Sequence, residues 1–266
     1  MKDSFAEKWH RVQDYGWEIA SASLRLEWYL QRYGWGTMEN LAQFLATRKR
    51  ILDAGTGLGS HVKLYAENTD GQVYGIDISP TVELGKKHIR GLPNAHLMQM
   101  DLMNMSFPLE YFDFIISDQV LHHTPDTERA FKGLVPYLVK GGQIAFYVYK
   151  RKGEVREYCD DKLREFTTKM TPDKCWQFSE AVTVFGKALS EIDFDLQRFI
   201  YWNIFKCYWN DRIDMQTNVS TNYDWYSPEY AWRHTKEEVL KWIEDSGLEL
   251  VHLDVGDSGI SVRAVK

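Results

Sequence analysis

The sequence predicts an α/β protein with a seven-stranded, mostly parallel sheet, an antiparallel last strand and helices on both faces. Two observations lead to this prediction. Short apolar strands alternate with helical segments between residues 51 and 149, and two strand-like segments near the C-terminal end are joined only by Gly256-Asp257-Ser258. Strands that alternate with helices form a parallel sheet, because each connection crosses back over the sheet. The final link is too short for such a crossover, so the last pair must be antiparallel.

The segment before the first strand predicts helices. Apolar residues between positions 4 and 47 recur at steps of three and four, which is the spacing of one helix face. Gly34 and Gly36 interrupt this pattern, and a further helix is expected from about Met38 to Ala46. We therefore predict two or three helices here, and we assign residues 1–48 to an N-terminal helical segment that packs on the core.

Residues 49–150 and 235–266 form the predicted core. Two of its helices have recognisable beginnings, since Ser79-Pro80 and Thr124-Pro125 each combine an N-cap residue with a following proline. An amphipathic helix from Thr235 to Ser246 precedes the final strand pair. The strands are expected at residues 51–54, 73–76, 95–100, 112–117, 143–149, 248–255 and 259–265.

The core does not require residues 151–234, a stretch rich in aromatic side chains. We predict a mostly helical insertion that uses most of these rings as its own hydrophobic core. Open α/β sheets bind ligands at the carboxyl ends of their strands, and we hypothesise that the insertion is a substrate-binding lid over that edge. A homodimer formed through the insertion is the alternative, since Tyr, Trp and Arg also favour interfaces.

Composition narrows the classes of function. A formal net charge of −6 offers no basic face, which argues against a nucleic-acid partner. The N-terminus has no apolar signal region, and no apolar run approaches the roughly 18 residues of a membrane helix. We therefore expect a cytoplasmic protein with no membrane partner. The eight histidines include no H-E-x-x-H motif, so no metal site is expected.

A glycine-rich turn follows the first predicted strand, in the pattern Asp53-x-Gly55-x-Gly57-x-Gly59. Such a turn lets a ligand approach the backbone closely. The dinucleotide pattern G-x-G-x-x-G would need its third glycine where this chain has Ser60. Asp53 at the mouth of the turn would repel a pyrophosphate, but it suits a ligand with a sulfonium and an ammonium group. S-adenosylmethionine is such a ligand.

Acidic or polar residues end the next three predicted strands. Asp77 is placed to accept hydrogen bonds from both hydroxyls of a ribose. Asp101 can accept from an adenine amino group while Leu102 packs on the ring. Asp118 and Gln119 end the fourth strand. Polar ends on consecutive strands indicate a cofactor cleft more strongly than any one of them does alone.

Five segments together resemble the class I S-adenosylmethionine-dependent methyltransferases, specifically the small-molecule branch that includes the ubiquinone and menaquinone methyltransferases. The segments are ILDAGTGLG, VYGIDIS, MQMDLMNMSFP, FDFIISDQVLHH and LVKGGQIAFYVY. The resemblance implies a Rossmann-like fold and S-adenosyl-L-methionine as the cofactor. The usual cysteine between the first glycines is Thr56 here, a tolerated change. The amino-methylating pattern of Asp or Asn followed by two prolines is absent, which disfavours nucleobase and protein-amide acceptors.

The resemblance also implies roles for individual residues. It assigns each part of the cofactor to a group of side chains: the methionine part to Asp53, Gly55, Thr56 and Gly57, the ribose to Asp77 and Ile78, and the adenine to Asp101 and Leu102. It further implies that Asp118 and Gln119 line the place of methyl transfer.

His122 and His123 are the candidate catalytic residues. Neighbours in a strand point to opposite faces, so we expect one ring to face the cofactor cleft and the other the helix layer. A histidine has an ordinary pKa of about 6.5 and could take the proton of an acceptor hydroxyl. We prefer His123 for this role, because it is nearer the loop. Packing on the cofactor, or a hydrogen bond to the backbone, is the structural alternative for either ring.

The acceptor is expected to be a small polar or aromatic molecule, with O-methylation slightly favoured. We predict Tyr149, Trp225, Tyr226 and Arg233 as substrate-binding residues, because aromatic and polar side chains occur together near them. An enzyme or scaffold that binds S-adenosylmethionine without methylating is one alternative function. A nicotinamide-dependent oxidoreductase is the other, disfavoured by Asp53 and by the glycine spacing.

Overall fold

The computed structural model describes residues 4–11 and 19–266. Residues 1–3 and 12–18, which belong to the predicted N-terminal helical segment, lie outside the described residues. The chain divides into two compact units. The sheet unit comprises residues 16–150 and 232–266, and the helical unit comprises residues 1–15 and 151–231.

The described residues of the sheet unit contain eight strands in one sheet. They are β1 (Arg50–Ala54), β2 (Gln72–Asp77), β3 (Ala95–Gln99), β4 (Phe112–Ser117), β5 (Leu138–Lys150), β6 (Arg233–His234), β7 (Glu249–Val255) and β8 (Gly259–Val265). Their order is β3-β2-β1-β4-β5-β8-β7, and β6 pairs with β5 outside this path. The first five strands pair in parallel, whereas β8 is antiparallel to both β5 and β7. The predicted α/β class and its antiparallel end are confirmed.

Two strands depart from the sequence prediction. β6 was not expected; it has only two residues, too few to show a strand pattern, and it pairs in parallel with Tyr149 and Lys150. β5 begins at Leu138 instead of Gln143, and its register against β4 shifts between Phe112 and Phe114. Gly141 and Gly142, a pair that is also typical of a helix end, lie inside that irregular part of the strand.

Helices flank the sheet within this unit: α2 (Ile19–Arg32), α3 (Met38–Ala46), α4 (Ser60–Ala66), α5 (Val82–Gly85), α6 (Thr127–Leu134) and α11 (Lys236–Asp245). β4 is central and almost wholly buried, which explains its apolar run Phe114-Ile115-Ile116. Phe44 of α3 packs edge-on against Phe114 of β4, with ring centroids 5.0 Å apart. α11 begins with a capping box, in which Thr235 and Glu238 satisfy each other's backbone N–H.

The helical unit consists of α1 (Ser4–Arg11), α7 (Glu154–Thr167), α8 (Pro172–Ile192), α9 (Phe194–Asn203) and α10 (Met215–Tyr226). Asn222 of α10 donates to the Thr183 hydroxyl of α8 at 2.8 Å, and both side chains are buried. Lys8 of α1 donates to Asp224 of α10 at 2.5 Å. α1 therefore groups with the helical unit and not with α2 and α3, a division that periodicity alone does not indicate.

Among the helices within residues 4–11 and 19–266, none combines the length and the apolar character needed to cross a membrane. The same residues include no group of three or more His, Cys, Asp or Glu side chains arranged to hold a metal ion.

Candidate functional site

The glycine turn connects β1 to α4. Gly55, Gly57 and Gly59 have φ angles of 93°, 56° and 83°, all in the left-handed region that favours glycine. The backbone N–H groups of Gly55 and Thr56 donate to the Ile76 carbonyl at 2.8 and 2.9 Å. These bonds tie the turn to the end of β2, so the sharp reversal after β1 is fixed by backbone contacts.

Gly55 is required by a neighbouring side chain. A Cβ atom added at Gly55 would overlap the branched end of Val120, which follows β4. From the sequence, we expected the glycines of this turn to allow a ligand to approach the backbone. At Gly55, the group that approaches the backbone closely is the Val120 side chain. The contact joins the turn after β1 to the segment after β4, two places where cofactor contacts are predicted.

We expect Gly55→Ala to destabilise the sheet unit by about 2–4 kcal/mol, because it adds both left-handed strain and overlap with Val120. Gly91→Ala is the matched control: Gly91 has a φ of 91°, but nothing lies within 4 Å of an added Cβ. The control should cost only the backbone strain, about 1–2 kcal/mol. Urea unfolding of both variants measures the difference, and equal costs would contradict the packing role of Gly55.

Asp53 lies at the buried end of β1. Its side chain is almost wholly buried, and the Thr56 hydroxyl donates to one carboxylate oxygen at 2.6 Å. Burial raises the pKa of Asp53, while the nearby His61 and the Thr56 hydrogen bond act in the opposite direction. A buried carboxylate of this kind gains from a positive group placed beside it.

Asp77 is fixed at the end of β2 by two backbone groups. One carboxylate oxygen accepts from the N–H of Gly57 at 2.8 Å, and the other accepts from the N–H of Ser79 at 2.9 Å. Both oxygens of the carboxylate therefore take part in holding it in place. The carboxylate is therefore oriented in advance, and Ile78 beside it is exposed.

The end of β3 is connected to the end of β2. Gln99 donates to the Ile78 carbonyl at 2.9 Å. Asp101 accepts from the N–H of Met103 at 2.8 Å, and Leu102 packs partly buried against the hydrophobic core. The predicted ribose-binding and adenine-binding residues are thus brought to one edge of the sheet.

Asp118 follows β4, and its nearly buried side chain is bound by Arg32, the last residue of α2, and by Tyr33, the residue after it. Arg32 donates to one of its carboxylate oxygens, and the Tyr33 hydroxyl donates to the other at 2.7 Å. Gln119 has a φ of 61°, a left-handed conformation that is uncommon outside glycine and often found at functional sites. Sequence reasoning missed Arg32 and Tyr33; the cluster of polar and aromatic residues at the end of α2 was the available signal.

His122 and His123 lie in a short 3-10 helix, Leu121–His123, and not in a strand. β4 ends at Ser117, so the placement of the two histidines in a strand is wrong, and the strand alternation from which opposite faces were expected does not apply. Both rings contact Tyr149, with centroid distances of 3.7 and 5.5 Å. His122 is fully buried, whereas His123 is partly exposed.

Tyr149 and Arg233 lie near these histidines within the sheet unit. Arg233 in β6 pairs with Tyr149 in β5. The backbone N–H of Trp232 donates to the backbone carbonyl of His122 at 3.0 Å. This bond holds the residue before β6 beside the 3-10 helix. The structure therefore brings two predicted substrate residues to the two predicted catalytic residues.

Trp225 and Tyr226 lie in α10 of the helical unit, where both rings are buried. The Tyr226 hydroxyl donates to the Lys206 carbonyl at 2.6 Å. The Trp225 ring is near two cations, with its centroid 5.5 Å from the Arg156 guanidinium carbon and 5.2 Å from the Lys206 Nζ. Both rings are part of this unit's own interior, and their role in acceptor binding remains a prediction.

Comparisons with known proteins place a methyltransferase match within the sheet unit. Residues 52–146 match the model of a family described as "Methyltransferase domain". The human protein named probable tRNA methyltransferase 9B is 32% identical over 133 residues, which cover 48% of this chain and 28% of that protein. The demethylmenaquinone methyltransferase of Staphylococcus haemolyticus is 34% identical over 80 residues, covering 30% of this chain and 34% of that protein.

The curated relatives are matched over about a third of their length or less. Among solved structures, an S-adenosylmethionine-dependent methyltransferase from Mesorhizobium loti superposes with a TM-score of 0.51 at 15% identity. The match covers 87% of this chain and 99% of that chain, and at this identity it shows a shared fold.

Proposed function

We propose that this chain, whose residues 52–146 match a methyltransferase domain model, transfers the methyl group of S-adenosylmethionine to a small-molecule acceptor, with a hydroxyl oxygen favoured. The cofactor supplies a methyl group already activated on a sulfonium. The remaining requirements are to bind the cofactor, to orient the acceptor in line with the S–CH₃ bond and to exclude water.

One observation supports this cofactor over a dinucleotide. The backbone N–H groups of Gly55, Thr56, Gly57 and Gly59 already donate to the protein, namely to Ile76, Asp77 and Thr56. A pyrophosphate is held by backbone N–H groups that point at it. The N–H groups of this turn instead donate to acceptors within the protein. The buried carboxylate of Asp53 beside the turn further disfavours a phosphate and suits a cationic ligand.

We assign the cofactor-binding roles as follows. Asp77, with Ile78 beside it, accepts hydrogen bonds from the ribose hydroxyls. Asp101 and Leu102 bind the adenine. The turn residues Asp53, Gly55, Thr56 and Gly57 surround the methionine part, and Asp118 and Gln119 lie on the side of the methyl group.

For a hydroxyl acceptor, His123 is the residue proposed to take the proton. It is the more exposed of the two histidines, and its ring contacts Tyr149 edge-on. His122, buried against Tyr149, is proposed to orient this group. The acceptor contacts of Tyr149, Arg233, Trp225 and Tyr226, and the part played by residues 151–234 as a lid or a homodimer surface, remain predictions.

The acceptor class is tested with S-adenosylmethionine labelled in its methyl group and a cell extract divided into small-molecule, RNA and protein fractions. We expect label to accumulate in the small-molecule fraction with the wild-type chain and not with Asp77→Ala. Label in the RNA fraction would contradict the proposed acceptor class and would favour the chemistry named for the human relative. Labelled product stable to mild base would support an ether over an ester.

A further inference from the structure

The ion pair between Arg32 and Asp118 is unusual for its position and for its unused hydrogen-bonding groups. Arg32, the last residue of α2, is 3% exposed, and the Asp118 side chain is 5% exposed. Asp118 accepts one bond from Arg32 and one from Tyr33, but an ionised carboxylate offers about four lone-pair sites. Acceptor capacity therefore remains on Asp118.

Donor capacity remains on Arg32. Among the residues whose side chains the structure describes, no hydrogen-bond acceptor reaches its Nε or its Nη1, and both atoms are buried. Aromatic rings surround the guanidinium carbon, with centroids 3.7 Å away for Trp28, 4.9 Å for Tyr147 and 5.1 Å for Tyr33. Ring faces attract the cation but do not replace hydrogen-bond acceptors for its N–H groups. Buried donors without acceptors are rare in folded proteins and call for an explanation such as a ligand.

The pair lies beside the glycine turn. Asp118 follows β4, the neighbour of β1, and Val120 two residues later packs against Gly55. His61 lies in the first turn of α4, and its Nε2 is 4.0 Å from the Oδ2 of Asp118. The unused donors and acceptors therefore occur next to the turn proposed to surround the methionine part of the cofactor.

We propose that Arg32 and Asp118 form a receptor for the α-amino acid group of the cofactor, and that Arg32 selects ligands that carry its carboxylate. The unused N–H groups of Arg32 donate to the carboxylate, and the remaining lone pairs of Asp118 accept from the ammonium. The two charges of the buried pair match the two charges of the zwitterion. This inference rests on the proposed function, and it adds α2, which precedes the family match at residues 52–146, to the site.

The test compares two ligands that differ only in the amino acid part. S-adenosylhomocysteine carries it, and 5′-methylthioadenosine lacks it. Isothermal titration calorimetry on the full chain should show that Arg32→Gln binds S-adenosylhomocysteine at least tenfold more weakly than the wild type. Binding of 5′-methylthioadenosine should stay within twofold. Decarboxylated S-adenosylmethionine, which keeps the ammonium, should also bind both proteins within twofold.

Arg263→Gln is the matched control. Arg263 lies 3.8 Å over the ring of Trp35, the same kind of cation–π contact in the same unit, but it is remote in sequence from the predicted site residues. The Arg263→Gln variant should leave the ratio of the affinities for S-adenosylhomocysteine and 5′-methylthioadenosine unchanged. If Arg32→Gln does not fold by circular dichroism, Arg32→Lys, which keeps the charge beside Asp118 but loses the guanidinium donors, should change the ratio in the same direction.

Equal weakening of both ligands by the Arg32 variant would show a purely structural role and overturn the proposal, as would an unchanged affinity for S-adenosylhomocysteine. A wild-type chain that binds neither ligand would instead refute the proposed function, so the two failures are distinguishable.

Discussion

Replacing Asp77 by alanine is expected to weaken the binding of S-adenosylhomocysteine by about a hundredfold or more. Two hydrogen bonds from ribose hydroxyls to a charged carboxylate contribute about 1.5–3 kcal/mol each. The variant also releases the N–H groups of Gly57 and Ser79, which the carboxylate now holds. Titration calorimetry on the folded variant measures the loss.

Asp113→Ala is the matched control for this experiment. Asp113 also accepts two backbone N–H groups, from Lys49 at 2.6 Å and Arg50 at 3.1 Å, but it does so at the start of β1 and not at the carboxyl ends of the strands. It should reduce stability without reducing affinity. An Asp77 variant with unchanged affinity, or two variants with equal losses of affinity, would contradict the assignment of Asp77 to the ribose.

Replacing Lys206 by methionine is expected to stabilise the helical unit at pH 7 by about 3 kcal/mol. Burial lowers the pKa of Lys206 to about 8 in the folded chain, against 10.5 for an ordinary lysine, and each unit of pKa corresponds to about 1.4 kcal/mol. In the part of the chain that the structure describes, no carboxylate lies within ion-pair distance of its Nζ. Methionine keeps most of the length of the lysine side chain and removes the buried charge.

The gain in stability from Lys206→Met should decrease as the pH rises. Below pH 8 the lysine is protonated in both states, so the folded chain bears the full cost of the buried charge. Between pH 8 and 10.5 the unfolded chain binds more protons than the folded chain, so wild-type stability from this group rises with pH. The advantage of Lys206→Met should therefore shrink towards zero by about pH 10.5.

Thermal unfolding of wild type and variant at pH 7 and pH 10 measures this change. Lys187→Met, at a more exposed lysine of α8 in the same unit, should show no comparable pH-dependent difference. A Lys206 variant that is less stable than the wild type at pH 7, or equally more stable at both pH values, would contradict the account of a buried, unpaired ammonium.

The sheet could be predicted because its signals are local. Glycine and proline mark the turns, the buried strands are continuous apolar runs, and the three-residue link between β7 and β8 leaves only an antiparallel pair. The strand-end carboxylates follow from the same reasoning, since parallel strands place their carboxyl ends on one edge. β5 was predicted too short because Gly141 and Gly142 are typical of a helix end as well as of an irregular strand.

Features that depend on side-chain direction could not be predicted. The partners Arg32 and Asp118 are 86 residues apart, and helical spacing does not say which face of α2 meets β4. The histidine pair was placed in a strand because polar residues alone do not reveal that the backbone leaves the sheet after Ser117. The roles of Trp225 and Tyr226 as acceptor contacts were inferred from composition, which does not distinguish a buried ring from a binding surface.

The central claim is that the glycine turn and the strand-end carboxylates bind S-adenosylmethionine and not a dinucleotide. Thermal unfolding of the full chain with S-adenosylmethionine, S-adenosylhomocysteine or NAD tests it directly. At about a hundredfold excess over the dissociation constant, a ligand that binds only the folded state adds about 2.7 kcal/mol of stability. We expect a raised melting temperature with both sulfur ligands and none with NAD. A rise with NAD and none with either sulfur ligand would contradict the account.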